Sequence, residues 1–284
     1  MAISRVGIVG SGIMGAGIAE VAAKAGIDVV LRSRKQETAE AMRAGLEKSL
    51  GKQVDKGRLS EEDRDAVLGR VTATADLSAL ADCDLVIESV VEDLAVKKAL
   101  FAELDQVVKA DAILATNTST LPVVEMAVAT GRPDKVVGVH FFNPAPMMGL
   151  VEIIPPLTAS DETVEAVTAF ATACGKDPVR VQDRAGFIVN ALLFPYLNNA
   201  VRMLENGIAS RDDIDAAMKG GCNFPMGPLA LLDLVGLDTS VAILDALYAE
   251  FADPNFSPAP ALRRMVAAGH LGRKSGQGFY DYRR

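Results

Sequence analysis

Residues 5–20 read RVGIVGSGIMGAGIAE, and they are the strongest indication of the fold in the sequence. The apolar run within Arg5–Val9 predicts a buried strand, and the pattern over Met14–Lys24 predicts a helix. Between them the glycines have the spacing GxGxxG, which permits a tight turn and the close approach of a pyrophosphate to the helix N-terminus. The stretch therefore predicts a dinucleotide-binding loop made of Gly10, Ser11, Gly12, Ile13, Met14 and Gly15.

Downstream of this loop, short apolar runs alternate with helical patterns, which is typical of a parallel sheet covered by helices. Further strands are predicted at Asp28–Leu31, Val71–Ala73, Leu85–Glu88, Ile113–Thr116, Val136–Phe141, Leu150–Ile154 and Val179–Val181. Further helices are predicted at Thr38–Lys56, Leu94–Val108 and Thr163–Cys174. The charged stretch from Glu37 to Leu68 breaks at Gly57 and restarts with a capping pattern at Ser60. It predicts a helical hairpin that projects from the sheet between the second and third strands.

The strand pattern stops near Ala185. Apolar residues then recur at helical spacing through Phe187–Glu205, Arg211–Met218, Leu229–Phe251 and Ala261–Ala268. We therefore expect an α/β fold: a Rossmann-like, mostly parallel sheet with a hairpin insertion over residues 1–184, followed by an all-α domain over residues 185–284. Helices without a sheet bury their apolar faces on one another or on a second subunit, so a homodimer formed through the helical domain is expected.

Composition narrows the class of protein. The net charge of −8 argues against a nucleic-acid partner, and the absence of tryptophan leaves no evident platform for stacking bases. Three widely spaced cysteines lack metal-ligand spacing and suit a reducing cytoplasm, so no metal site is expected. Val6 to Leu31 is apolar, but its many glycines and the charged Glu20 and Lys24 fit a buried strand and helix better than a membrane span or signal peptide. We expect a cytoplasmic protein without membrane contacts.

One of the two histidines, His140, closes an apolar strand, and Glu152 lies within the next apolar run. An imidazole titrates near neutral pH, and a neighbouring carboxylate fixes its tautomer and stabilises its charged form. Together with a dinucleotide loop, the pair predicts an oxidoreductase of alcohols or ketones. Taken alone, the same pair is also compatible with a core histidine beside an edge-strand glutamate.

The end of the second strand lacks the usual acid. An NAD-binding domain normally places Asp or Glu there to hold the ribose hydroxyls, but Leu31 is followed by Arg32, Ser33 and Arg34. Ser33 and Arg34 can bind a 2′-phosphate by hydrogen bonding and charge. We expect a preference for NADP(H). The alternative is NAD(H), with these arginines as ordinary surface charges.

Several motifs occur in order along the whole chain. They are the glycine stretch, residues 86–93 (VIESVVED), 115–119 (ATNTS), 140–146 (HFFNPAP), 183–190 (DRAGFIVN), 225–228 (PMGP) and 274–280 (KSGQGFY). With these motifs the chain resembles the short-chain L-3-hydroxyacyl-CoA dehydrogenase family, close to its bacterial 3-hydroxybutyryl-CoA members. The resemblance implies the interconversion of short 3-ketoacyl-CoA and (S)-3-hydroxyacyl-CoA in fatty acid metabolism.

The resemblance also implies roles for individual residues. His140 would be the general acid/base, oriented by Glu152, while Ser119 would bind the substrate oxygen and Asn190 would line the substrate site. Glu92, Lys97, Asn143 and Lys274 would surround the nicotinamide half of the cofactor, and Ser49 and Lys56 would contact CoA. The plainer alternatives are that Ser119 only caps a turn, and that Ser49, Lys56, Lys97 and Lys274 are ordinary solvated residues.

Two departures from the family pattern stand out: Ser33 replaces the usual acid, and Gly149 stands where many members carry lysine. Two rival functions also remain open at this point. One is a dehydrogenase of a free hydroxy acid or sugar acid, as in the lambda-crystallin/gulonate dehydrogenase relatives. The other is a non-catalytic dinucleotide-binding protein, although such a protein would not need His140, Glu152, Ser119 and Asn190 together.

Overall fold

The computed structural model describes residues 2–283, which divide into two compact units between Asp183 and Arg184. The first unit contains an eight-stranded sheet whose strands are β1 (Arg5–Val9), β2 (Asp28–Arg32), β3 (Val71–Thr74), β4 (Leu85–Glu88), β5 (Ile113–Thr116), β6 (Val136–Phe141), β7 (Leu150–Ile154) and β8 (Asp177–Arg180). Its helices are α1 (Ile13–Lys24), α2 (Gln36–Asp55), α3 (Glu61–Gly69), α4 (Leu94–Val107), α5 (Val123–Ala127) and α6 (Asp161–Ala173). The predicted α/β class is confirmed.

The sheet has the strand order β3-β2-β1-β4-β5-β6-β7-β8, and β1 through β6 are all parallel. The chain moves outward from β1 in one direction through β2 and β3, then returns to place β4 on the other side of β1. The loops that leave β1 and β4 therefore diverge, and the crevice at such a switch point is where open α/β sheets bind ligands.

The sheet reverses direction after β6. Strand β7 runs antiparallel to β6, and β8 runs parallel to β7. The register of the β6–β7 pair sets His140 directly opposite Glu152. Cross-strand neighbours lie on one face of the sheet with their side chains in contact, so the reversal joins two residues that are separate in sequence.

The predicted hairpin forms α2 and α3, and Ser60 caps α3 by accepting a hydrogen bond from the backbone N–H of Asp63 at 3.0 Å. The hairpin does not project free of the sheet. Leu46 and Leu50 of α2 and Val67 of α3 are buried in the main core, where α2 also packs against α1 and β3. The high density of charges in its sequence concealed this narrow apolar face.

The second unit is built of helices, with α7 (Val189–Glu205), α8 (Arg211–Cys222), α9 (Pro228–Val235), α10 (Leu237–Phe251), α11 (Pro260–Ala267) and a core of its own. The run Leu229–Phe251, predicted as one helical pattern, is divided between α9 and α10 at Gly236. Gly236 has φ +103°, which no helix permits. None of the helices within residues 2–283 is long and apolar enough to cross a membrane.

Candidate active site

The three glycines of the loop after β1 have different surroundings. At Gly10, φ is +140° and an added Cβ would lie 2.2 Å from the carbonyl oxygen of Ser89; at Gly15 it would lie 2.4 Å from the carbonyl oxygen of Gly10. At Gly12 an added Cβ would meet no other part of the described chain within 4 Å. The protein's own packing requires glycine at positions 10 and 15, whereas Gly12 faces open space that a pyrophosphate can enter.

The start of α1 completes an anion site. Its N-cap is Gly12, which brings no capping side chain, and the first turn contains no acidic residue. The first N–H groups of a helix carry the positive end of its dipole and need an acceptor. Ser11 and Ile13 are exposed beside them. These features fit a bound dinucleotide, whose phosphates would be held by the loop Gly10 to Gly15.

His140 lies between two partners. Its Nδ1 is 2.7 Å from Oε2 of Glu152, and its Nε2 is 3.0 Å from Oγ of Ser119. Glu152 is fully buried and His140 is 4% exposed, so the carboxylate interacts with the ring in a region of low dielectric. An imidazole held in this way has a fixed orientation. Nδ1 is occupied by Glu152, and Nε2 is the nitrogen that points toward the Ser119 hydroxyl.

The turn that carries Ser119 is held by a carboxylate. Glu92 accepts hydrogen bonds from the hydroxyl of Thr118 and from the backbone N–H groups of Ser119 at 2.9 Å and Thr120 at 3.2 Å. Burial by itself would raise the pKa of Glu92, but the positive charge of Lys97 and these hydrogen bonds outweigh it and lower the pKa. Glu92 is therefore ionised at neutral pH.

Lys97 is only 1% exposed and pairs with two carboxylates. Its Nζ lies 2.6 Å from Oε1 of Glu88 and 3.3 Å from Oε2 of Glu92. No role is predicted for Glu88 from the sequence, because it reads as the last residue of an apolar strand. Glu152 was selected from the sequence because it is an ionisable residue inside an apolar run. Glu88 shows the same feature.

Asn117 also belongs to this edge of the sheet, although no specific role was predicted for it. Its side-chain oxygen accepts a hydrogen bond from the backbone N–H of Phe141 at 2.8 Å. The bond connects the residue after β5 to the last residue of β6. It thereby fixes the strand end that carries His140.

The end of β2 is arranged differently. Ser33 is 5% exposed, and its Oγ lies 2.6 Å from Oγ1 of Thr38. The hydroxyl of Thr38 donates its own proton to the carbonyl oxygen of Lys35 at 2.8 Å. Ser33 is therefore the donor in the hydrogen bond between Ser33 and Thr38. Arg34 is exposed. An anion arriving here would meet the guanidinium of Arg34 and would meet no carboxylate at position 33.

The two predicted CoA contacts share one face of α2. Ser49 and Lys56 lie about two helical turns apart, which places them on the same side. The Ser49 hydroxyl donates to Oε2 of Glu20 at 3.2 Å, and Lys56, the C-cap residue, is exposed. Lys56 is free to meet an anionic ligand, whereas the proton of Ser49 is directed into the protein.

The other predicted site residues are distributed over both units. In the first unit, Asn143 is exposed just beyond β6. In the helical unit, Asn190 is 8% exposed in the first turn of α7, and Lys274 donates to Oδ2 of Asp238 at 2.7 Å. The first unit brings His140, Glu152, Ser119, Glu92 and Lys97 into one hydrogen-bonded cluster.

Two known family domains together match almost the whole chain. Residues 5–184 match the family domain "3-hydroxyacyl-CoA dehydrogenase, NAD binding domain", and residues 186–282 match the corresponding C-terminal domain. The chain belongs to the 3-hydroxyacyl-CoA dehydrogenase family. The predicted resemblance is confirmed, and the family places the chain among the oxidoreductases that act on CH–OH groups.

Individual relatives are similar over their full lengths. A 3-hydroxybutyryl-CoA dehydrogenase of Mycobacterium tuberculosis is 50% identical over 99% of both chains. The crystal structure of M. tuberculosis FadB2 has a TM-score of 0.98 at 50% identity and covers both chains completely. That of the (S)-3-hydroxybutyryl-CoA dehydrogenase of Ralstonia eutropha has a TM-score of 0.97 at 42% identity, again with complete coverage.

Proposed function

We propose that the protein interconverts acetoacetyl-CoA and (S)-3-hydroxybutyryl-CoA, with His140 as the general acid/base. The observation that carries the proposal is the contact of His140 with Ser119 on one side and Glu152 on the other, at the carboxyl edge of a dinucleotide-binding sheet. The bound nicotinamide would accept or supply the hydride. All other steps fall to the protein's own side chains.

In the reductive direction, protonated His140 donates a proton from Nε2 to the 3-keto oxygen as that oxygen becomes negative. The Ser119 hydroxyl, 3.0 Å from the same nitrogen, donates a second hydrogen bond to the oxygen. In the oxidative direction, neutral His140 accepts the hydroxyl proton, and the carboxylate of Glu152 stabilises the resulting imidazolium. Asn190 of the helical unit would supply a further hydrogen bond to the substrate.

For the cofactor we propose NADP(H) over NAD(H), since the chain has Ser33 and Arg34 where an acid would repel a 2′-phosphate. Because the Ser33 proton goes to Thr38, we assign the attraction to Arg34 and the lack of repulsion to Ser33. Glu92, Lys97, Asn143 and Lys274 would surround the nicotinamide half. Ser49, as an acceptor, and Lys56, as a cation, would contact CoA.

We also propose that residues 1–184 bind the dinucleotide and that residues 185–284 bind substrate and form a homodimer. Large apolar side chains are exposed on the helical unit, with Leu192 71% and Ile208 65% exposed. A second copy of the chain would cover them. Sedimentation velocity distinguishes a dimer from a monomer directly.

The function is tested by measuring the oxidation of NADPH and of NADH by the purified protein with acetoacetyl-CoA and, separately, with free acetoacetate. We expect turnover of acetoacetyl-CoA with a clear preference for NADPH, and little turnover of acetoacetate. A preference for the free acid would instead indicate a hydroxy-acid dehydrogenase. Tight NADPH binding without turnover of either substrate would indicate a non-catalytic dinucleotide-binding protein.

A further inference from the structure

Glu88 ends β4 beneath the crevice and is fully buried. Its Oε1 accepts hydrogen bonds from the backbone N–H of Val90 and from Nζ of Lys97, both at 2.6 Å. Its Oε2 accepts a hydrogen bond from the hydroxyl of Thr116 at 2.8 Å. One carboxylate thus joins the loop after β4, helix α4 and the end of β5.

Stability alone does not account for such a pair. Removing two charges from water is costly, and well-packed apolar residues often replace a buried ion pair without loss of stability. Glu88 and Lys97 are 0% and 1% exposed, so both meet this cost in full. Buried charge pairs of this kind at the edge of a ligand crevice frequently belong to functional sites.

From this pair the hydrogen bonds continue to the catalytic histidine. Lys97 bridges Glu88 to Oε2 of Glu92, while Oε1 of Glu92 accepts the hydrogen bond from the backbone N–H of Ser119. The side chain of Ser119 then contacts Nε2 of His140. Every contact in this series from Glu88 to Ser119 includes at least one charged side chain, and charge-assisted hydrogen bonds are stronger than those between neutral groups.

We propose that Glu88 is a positioning residue of the reaction: it holds Lys97, and through Lys97 and Glu92 it sets the position of Ser119 beside His140. The inference rests on the proposed function, because it assigns Ser119 the substrate oxygen. In the Glu88→Gln variant, Lys97 loses one of its two negative partners and shifts toward Glu92. The turn bearing Ser119 moves with Glu92, and displacements of this kind lower catalytic rates by about 10- to 100-fold.

A double-mutant cycle between Glu88→Gln and Ser119→Ala tests the inference. If Glu88 acts through Ser119, each single variant lowers kcat for acetoacetyl-CoA reduction, and Glu88→Gln lowers it by less than about twofold once Ser119 is already alanine. Independent effects that multiply in the double variant would overturn the proposal, as would a Glu88→Gln variant that loses stability and keeps wild-type kcat.

The matched control is Glu125→Gln. Glu125 pairs with Lys98, the neighbour of Lys97, at 2.7 Å, but both side chains are about half exposed. This variant removes an ion pair made by Lys98 of the same helix α4, and we expect it to leave kcat unchanged. Should Glu88→Gln not fold, Thr116→Val enters the same cycle with the same two outcomes. It removes the 2.8 Å hydrogen bond to Glu88 together with the 3.2 Å hydrogen bond that Thr116 Oγ1 accepts from the backbone N–H of Thr118.

A second readout does not depend on turnover. The chain has two histidines, so the ring resonances of His140 and His270 are easily distinguished by NMR. We expect Glu88→Gln, or Thr116→Val in its place, to shift the Nε2 resonance of His140 and to leave His270 unchanged. An unchanged His140 resonance overturns the inference. A shifted resonance in a protein that does not reduce acetoacetyl-CoA supports the positioning chain and contradicts only the proposed function.

Discussion

The two ends of the sheet's carboxyl edge differ in how their polar side chains are held. At the histidine end, formed by the ends of β4, β5 and β6, His140 contacts Glu152 and Ser119, and the acids around it are bonded to neighbours. At the arginine end, formed by Arg32, the last residue of β2, and by Ser33 and Arg34 after it, Arg34 is exposed to solvent. The first arrangement fixes positions; the second provides charge.

This difference matches the two tasks that we assign. Proton transfer depends on distances held within tenths of an ångström, and neighbouring hydrogen bonds and burial can maintain them. Discrimination between two cofactors needs only a difference in charge near one phosphate. Changes at the histidine end should therefore alter rates by orders of magnitude, and changes at the arginine end should alter relative affinities by much less.

The largest effect is expected for His140→Gln. Glutamine keeps a polar side chain of similar size but cannot donate or accept the proton, so kcat for acetoacetyl-CoA reduction should fall about 10³-fold. The dissociation constant for NADPH, measured by fluorescence titration, should stay within about twofold, because the dinucleotide loop is distant in sequence and unchanged. More than a tenth of wild-type kcat in this variant would contradict the assignment of His140.

A smaller loss is expected for Glu152→Gln, about 10²-fold in kcat. The amide leaves the ring in place but no longer stabilises the imidazolium, and its NH2 group can impose the wrong tautomer. The exposed Glu165→Gln on α6 is the control and should keep full activity. Equal activity of the two variants would show that Glu152 plays no part in catalysis.

Substitution of a hydrogen-bonded carboxylate far from the crevice should change the stability of the fold and leave catalysis unchanged. Burial would raise the pKa of Asp84, but hydrogen bonds from Lys109, Ser4 and Arg5 lower it to about 2. A carboxyl whose pKa is lower in the folded than in the unfolded protein stabilises the fold at any pH above its unfolded pKa of about 4, here by about 2 kcal/mol. This stabilisation is lost as the pH falls through the folded pKa of about 2.

Asp84→Asn should thus unfold at lower urea concentration at pH 7 and keep wild-type kcat under native conditions. The difference in unfolding free energy between wild type and variant should shrink between pH 4 and pH 2. A difference that stays constant over this range would contradict the assigned ion pair. A variant with normal stability and lowered kcat would contradict the contrast between the crevice and this site.

At the arginine end, Ser33→Asp should lower the preference for NADPH over NADH by about tenfold, measured as the ratio of kcat/KM values. The reason is repulsion between the new carboxylate and the 2′-phosphate. Ser33→Ala serves as the control and should keep the preference, because the Ser33 proton already goes to Thr38. If alanine abolishes the preference, the Ser33 hydroxyl is itself a ligand of the phosphate.

The smallest effect is expected for Lys56→Ala on α2. Loss of one exposed cation should raise KM for acetoacetyl-CoA about threefold and leave kcat unchanged. The comparison substrate is acetoacetyl-pantetheine, which lacks the nucleotide phosphates, and its KM should not change. An equal rise in KM for both substrates would exclude a phosphate contact at Lys56.

Much of the fold could be predicted because a buried parallel strand is a continuous apolar run, and the glycine spacing marks the first turn. Two features could not. The five-residue helix α5 is too short to show a period. The break at Gly236 depends on a backbone conformation, and a lone glycine inside a helical pattern does not reveal its φ angle.

At the site, the types of His140 and Glu152 and their positions in apolar runs predicted that the two act as a pair. Their contact, however, depends on the antiparallel register of β6 and β7. Sequence patterns do not specify that register. The Glu88–Lys97 pair was missed for a related reason: Lys97 reads as one of several helix lysines, and only the fold buries it against an acid from another element.

The measurement that most directly tests the account compares kcat of wild type, His140→Gln, Ser33→Asp and the double variant, each with NADPH and NADH at saturating acetoacetyl-CoA. We predict that His140→Gln lowers kcat about 10³-fold with either cofactor and in either background, because the histidine end carries the chemistry and the arginine end does not. Turnover by His140→Gln within tenfold of the wild type, with either cofactor, would contradict the account.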